Sequence, residues 1–137
     1  VCELDDQTLA LPDWRGNDRI DSLRNIVADG RCSLMFMVPG QNNVIRVNGR
    51  GRLTADAALR ARFEHQGKQP RTVLVIAIEE IYFQCARALI RSRLWDVPET
   101  PLDLPSPGQI LARMTEGAVG GEGYDRDWPE RAAKTMW

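Results

Sequence analysis

Residues 44–53 (VIRVNGRGRL) alternate with the period of a strand, and they constrain the fold more than any other stretch. Ile45, Val47, Gly49, Gly51 and Leu53 fall on one face; Val44, Arg46, Asn48, Arg50 and Arg52 fall on the other. A helix cannot satisfy that pattern, whereas a sheet with a core on one side can. Residues 31–38 (RCSLMFMV) are apolar on both faces beyond Ser33, which predicts a central strand covered on both sides. Residues 39–43 (PGQNN) supply the hairpin between the two. Residues 72–78 (TVLVIAI) predict a second doubly buried strand. Residues 1–4 and 8–12 predict two short strands joined by the turn Asp5-Asp6-Gln7. The chain opens on Val1, inside what reads as a strand, which leaves open a preceding piece.

Helices interrupt these hairpins. Asp21 is expected to cap a helix over 22–29, with an apolar stripe of Leu23, Ile26 and Val27 and a stop at Gly30. Thr54 is expected to cap a second helix from about 55 to 65, followed by a turn at 66–70. A third helix is predicted over 82–92. Beyond Trp95, Pro98, Pro101, Pro105 and Pro107 break the chain. A short helix is expected at 108–115, a mobile glycine-rich stretch at 117–123, and a last helix at 127–137 with Pro129 in its first turn. The expected organisation is a barrel domain over 1–96 and a Pro/Gly-rich tail over 97–137, packing on the barrel or on a partner subunit. The fold class is mainly β with peripheral helices, a small β-barrel of the α+β type. No glycine-rich nucleotide fingerprint follows a strand, which disfavours a doubly wound sheet.

Charge is unevenly placed. The formal net charge is −1, yet residues 15–93 carry +7 and the two flanks −4 each. Of the 18 basic residues 16 are Arg, whose planar fork suits phosphate and carboxylate oxygens. A basic centre with acidic flanks fits a small anionic ligand better than a long polyanion; plain arginine bias is the alternative. No apolar run approaches the roughly 20 residues that cross a bilayer, and the first residues do not read as a basic-then-apolar signal sequence, so neither a span nor a signal segment is expected from these residues. Cys2, Cys32 and Cys85 are isolated, which predicts buried or half-buried free thiols in a reducing, cytoplasmic setting. With His65 the sole histidine, a histidine triad or multi-histidine metal site is not expected.

Three basic clusters are candidates for binding. The loop Gly16-Asn17-Asp18-Arg19-Ile20-Asp21-Ser22 opens a helix directly after a strand, where free backbone N–H groups can donate to a phosphate; a capped helix with a solvated arginine explains the same letters. Arg46, Asn48, Arg50 and Arg52 line one strand face and repel one another unless anions intervene; an edge strand made basic against aggregation is the alternative. Arg87, Arg91 and Arg93 precede Trp95, which can stack on a planar ring or anchor the helix end in the core. Asp5-Asp6 and Glu79-Glu80 point to opposite strand faces and make no acid/base pair. No Ser or Cys has a histidine partner, so no catalytic side chain is assigned, and the chemistry is expected from a cofactor.

The run Leu9-Ala10-Leu11-Pro12-Asp13, then residues 16–26 (GNDRIDSLRNI), resembles the pyridoxamine 5'-phosphate oxidase-like flavoproteins. It is especially similar to a bacterial subgroup with uncharacterised substrates. Val38-Pro39-Gly40 leading to Ile45-Arg46-Val47-Asn48-Gly49-Arg50, and residues 90–96 (IRSRLWD), agree in order. The resemblance implies a six-stranded split β-barrel, a homodimer, and FMN in a cleft between subunits. It implies that Arg19 and Ser22 hold the phosphate, with Asn17 and Asn25 nearby and the Pro12 and Asp13 backbone along the flavin or ribityl chain. Arg46 is a further contact, and Arg91, Ser92 and Trp95 close the site, in one version from the partner subunit. The subgroup's Ser-Pro-Arg-Gly-Asp-like segment is missing, which bears on FMN binding; Gln84 replaces an expected histidine, and Asp29-Gly30-Arg31 an Asn-Pro-Arg turn.

The favoured expectation is an FMN-dependent oxidoreductase acting on a small substrate. A non-catalytic module binding flavin or another ligand is the alternative, with haem- or deazaflavin-binding relatives of the barrel beyond it. A nucleic-acid-binding barrel is disfavoured, because aromatic residues do not interleave with the arginines as base stacking requires.

Overall fold

The computed structural model describes residues 1–16, 18–97 and 103–135. Asn17, Pro98, Pro101 and the end of the last expected helix at 136–137 lie outside the described residues. Two compact units divide the chain, Val1–Asp96 and Val97–Trp137.

The first unit is a five-stranded antiparallel sheet of β1 (Cys2–Asp5), β2 (Thr8–Asp13), β3 (Arg31–Met37), β4 (Val44–Thr54) and β5 (Thr72–Gln84), with α1 (Asp21–Asp29), α2 (Ala57–Ala61) and α3 (Arg87–Ser92). Strand order is β1-β2-β5-β4-β3. The central strand is β5, and its buried run Val73, Leu74, Val75 and Ile76 accounts for the unbroken apolar sequence. The expectation of a central β3 is corrected: β3 lies at the sheet edge and alternates, with Cys32, Leu34 and Phe36 half-buried and Met35 and Met37 exposed.

One face holds Leu9, Val47, Leu74 and Ile76, packed with Leu11, Leu34, Phe36, Leu53 and Ile26 of α1. The opposite face buries Ala10, Val73 and Val75 beneath Leu59 and Phe63, the latter just beyond α2. The sheet is thus covered on both sides at one end, which yields the expected mainly β fold with peripheral helices.

Two helix expectations in this unit are also corrected. Residues 82–84 continue β5, because a bulge admits Glu79 as an extra residue: Asn48 pairs with Glu80 but Gly49 with Ile78. The extra residue keeps Ile78, Ile81 and Phe83 opposite Gly49, Val47 and Ile45, so one apolar face runs the length of the strand. Gly49 is required there, since an added Cβ would lie 2.1 Å from the Ala77 carbonyl oxygen. The second helix shrinks to Ala57–Ala61; its cap is Asp56, whose carboxylate accepts the Leu59 N–H at 2.8 Å. It unwinds through turns into the His65–Lys68 bridge, where Gln66 and Gly67 have positive φ.

In the second unit, α4 (Pro107–Met114) starts at a capping box formed by Ser106 and Gln109, and α5 (Glu122–Thr135) follows. The last helix begins earlier than expected, which puts Pro129 inside it. Within 117–121 the chain turns tightly against α4: Gly121 N–H donates to Gly108 O at 2.8 Å. At Gly120 (φ 104°) a Cβ would meet Gly108 O at 2.4 Å, so these glycines permit close approach. Asp125 accepts the Gly108 N–H at 2.8 Å and the Ser106 hydroxyl, tying α5 to the start of α4.

Candidate functional site

A cavity of about 360 Å³ opens where β2 ends and α1 begins, lined by Asp13, Trp14, Arg15, Asp18, Arg19, Ile20, Ser22 and Arg71 among others. Antiparallel pairing of β2 with β5 sets Asp13 opposite Thr72, and the Thr72 hydroxyl donates to Asp13 Oδ2 at 3.1 Å. The same register carries Arg71 to the cavity wall, where its Nη1 donates to Asp18 Oδ1 at 3.1 Å. Arg19 Nη2 lies 3.2 Å from Asp21 Oδ2. Trp14 meets His65 edge-on, with ring centroids 6.5 Å apart.

Ile20, and not Asp21, is the N-cap of α1, in the left-handed region at φ 50°, ψ 19°. A β-branched residue is strained there. Ile20 offers no side-chain cap, so among the described residues no capping hydrogen bond closes the first N–H groups to solvent or a ligand, and the positive end of the helix dipole stands behind them. The helix stops at Gly30, as the sequence indicates, with its N–H bonded to Ile26 O at 2.7 Å.

Of the residues singled out from sequence, Asp13, Arg19 and Ser22 meet at this cavity; Pro12 precedes it on β2 and Asn25 lies exposed on α1. Asn17 falls outside the described residues. The others lie elsewhere. Arg46 Nε donates to Gln84 Oε1 at 2.9 Å, at the far end of β4. From Arg46 to Thr54, at the cavity end, β4 runs roughly 25 Å at ~3.3 Å per residue. Trp95 Nε1 donates to Gln41 O at 2.7 Å, and Ser92 Oγ to Leu89 O at 3.1 Å, while Arg91 is exposed. Within one chain, then, the arginines do not converge on a single pocket.

On the arginine-rich face of β4, one arginine finds an anion within the chain. Arg50 lies 3.4 Å from Glu79 and donates to Asp29 O at 3.2 Å, and Asn48 Nδ2 donates to Glu80 at 2.7 Å. Arg31 grips the Asp29 carboxylate, and that hydrogen bond holds Asp29 below the usual carboxylate range. Desolvation raises the thiol pKa of half-buried Cys32, whereas Cys85 is exposed, against the expectation of three buried or half-buried thiols.

A second, more apolar cavity of about 570 Å³ lies at the far end of the inner face between Leu9, Phe36, Ile45, Val47, Ile78 and Ile81, rimmed by Glu3, Asp5 and Asp6. Among the described residues no group of His, Cys, Asp and Glu is placed to hold a metal ion, and no helix is long and apolar enough to cross a membrane.

Sequence comparison places this architecture. The family profile described as pyridoxamine 5'-phosphate oxidase matches residues 1–85, and the chain belongs to that family. Among solved structures, Group A Streptococcus HupZ in a histidine-to-alanine form matches with a TM-score of 0.50 and 22% identity, over 61% of this chain and 71% of that one. A second HupZ structure matches with a TM-score of 0.47 and 21% identity, over 58% and 64%. At such identities the likeness speaks for the fold alone. No curated protein matches the chain.

Proposed function

We propose that the chain is an FMN-binding flavoprotein of the pyridoxamine 5'-phosphate oxidase-like class, an oxidoreductase for a small substrate, and that the cavity at the start of α1 takes the FMN phosphate. The observation that carries the reading is the uncapped N-terminus of α1 facing a cavity walled by Arg15, Arg19 and Arg71. Its volume lies in the range of small-molecule sites. Arg19, Arg71 and the Ser22 hydroxyl would hold the phosphate, with Asn17 and Asn25 nearby, and the backbone at Pro12 and Asp13 would run beside the ribityl chain. Trp14 and Ile20 offer the apolar wall that a ring needs. Bound FMN supplies the hydride or electron chemistry; the protein binds, orients and excludes water.

Two further elements belong to this reading. Met35, Met37, Ile45, Ile81, Tyr82 and Phe83 expose apolar surface at the far end of the sheet, which supports a homodimer. A second copy is also the route by which Arg46, Arg91, Ser92 and Trp95 would reach a cofactor at the subunit interface. A cytoplasmic setting suits the free thiols. One observation favours a binding module without turnover: Asp13, Asp18 and Asp21 in the cavity already pair with Thr72, Arg71 and Arg19.

The test is spectroscopic. Purified protein incubated with FMN and desalted should show flavin absorbance and release about one FMN per protomer on denaturation. Protein that stays colourless at saturating FMN contradicts the proposal, and bound flavin without turnover of any donor selects the module.

A further inference from the structure

We infer that Asp18 is a resident counter-ion that an incoming phosphate must displace from Arg71, so that the cavity selects a dianionic phosphate monoester over singly charged ligands. This rests on assigning the cavity to a phosphate-bearing ligand. Asp18 stands in the loop between β2 and α1, and Arg71 directly before β5; they are distant in sequence, meet at 3.1 Å, and both line the cavity. The pair therefore closes across the place where an anion would sit.

The same arrangement recurs beside it, where Arg19 meets Asp21 at 3.2 Å. Arg15 and Asp13 complete the charged lining, so the guanidinium groups of Arg15, Arg19 and Arg71 face as many carboxylates. Side-chain charge in the cavity cancels. What remains to attract an anion is the dipole of α1, equivalent to about half a positive charge at its uncapped end. A singly charged ligand gains little on Arg71, because it releases a carboxylate of equal charge. A phosphate monoester above its second ionisation, near pH 6, carries close to two charges and three acceptor oxygens, and it gains more.

Displacement is also cheap. The two side chains are 72% and 68% exposed, and surface pairs of this kind are worth a factor of about five or less. Asp18 sits at φ 57°, a left-handed conformation that Asp and Asn both tolerate, so Asp18→Asn removes the charge and keeps the loop.

The experiment titrates wild type, Asp18→Asn, Arg71→Ala and the double variant with FMN, riboflavin and inorganic phosphate. Asp18→Asn should tighten FMN about two- to five-fold and leave riboflavin unchanged, and the gain should shrink in the Arg71→Ala background. Wild-type affinity for FMN should fall between about pH 7.5 and pH 5 as the phosphate loses a charge, with riboflavin flat. Equal FMN affinity in wild type and Asp18→Asn overturns the inference and leaves the flavin reading standing. An equal gain with and without Arg71 also overturns it, since Asp18 then acts by general repulsion. An FMN affinity that does not change with pH overturns the selection of the dianion. Inorganic phosphate that binds more tightly to Asp18→Asn, with no flavin taken up by either protein, supports the inference and removes the flavin reading. Failure of every phosphate species to bind overturns both.

Discussion

Gly49→Ala places one methyl group at the most crowded point between the two longest strands. The added Cβ would lie 2.1 Å from Ala77 O, 3.1 Å from Ala77 C and 3.2 Å from Ile76 Cγ2. Ordinary contact begins near 3.4 Å, so β4 and β5 must separate by more than an ångström just where the bulge at Glu79 fixes their register. The nearest atom is backbone, which no rotamer change can move aside. Overpacking costs about 1–3 kcal/mol, and loss of a ladder hydrogen bond adds about 1 kcal/mol. For a unit of this size the melting temperature should fall by roughly 10–25 °C. Circular dichroism melts of wild type, Gly49→Ala and Gly16→Ala measure it; Gly16 is the control, because nothing lies within 4 Å of its would-be Cβ. A Gly49→Ala melt within about 2 °C of wild type would refute the register and the close approach.

Arg71→Ala should weaken FMN by roughly 5–30-fold, a charge-assisted hydrogen bond less the surface pair with Asp18 that binding breaks, and leave riboflavin unaffected in a fluorescence titration; equal loss for both ligands would count against a phosphate contact. Asp29→Asn should cost stability at neutral pH and much less in acid. Folding lowers the Asp29 carboxyl pKa through Arg31, so its stabilisation is full above about pH 4 and is lost as pH falls through the folded-state value. Urea midpoints of the two proteins should therefore converge in acid, and a constant difference down to about pH 2.5 would contradict that linkage.

What could be read from the sequence was set by local pattern. The stripe of Leu23 and Ile26 with the stop at Gly30 defines α1, and alternation defines β4, because both signals are contained in neighbouring residues. The edge position of β3 was hidden by Met35 and Met37, apolar residues that a single chain leaves exposed. The end of β5 was hidden by Glu79-Glu80, which break an apolar run in the sequence but form a bulge in the sheet. Repulsion along Arg46, Arg50 and Arg52 looked like a demand for a ligand; Gln84, Glu79 and the Asp29 carbonyl answer part of it from elements distant in sequence. Of the cavity, Arg19 and Ser22 were legible as a loop opening a helix, and Asp13 through the family resemblance alone. Arg71 was not, since nothing near it signals binding; only the pairing of Asp13 with Thr72 brings it there.

The most direct measurement is a crystal structure of the protein with FMN. The phosphate is expected at the first turn of α1, within hydrogen-bonding distance of its N–H groups and of Arg71, with the Asp18 pair opened. A phosphate bound at the opposite end of the sheet, beside Arg46 and Arg91, with the Asp18–Arg71 pair intact, would contradict it.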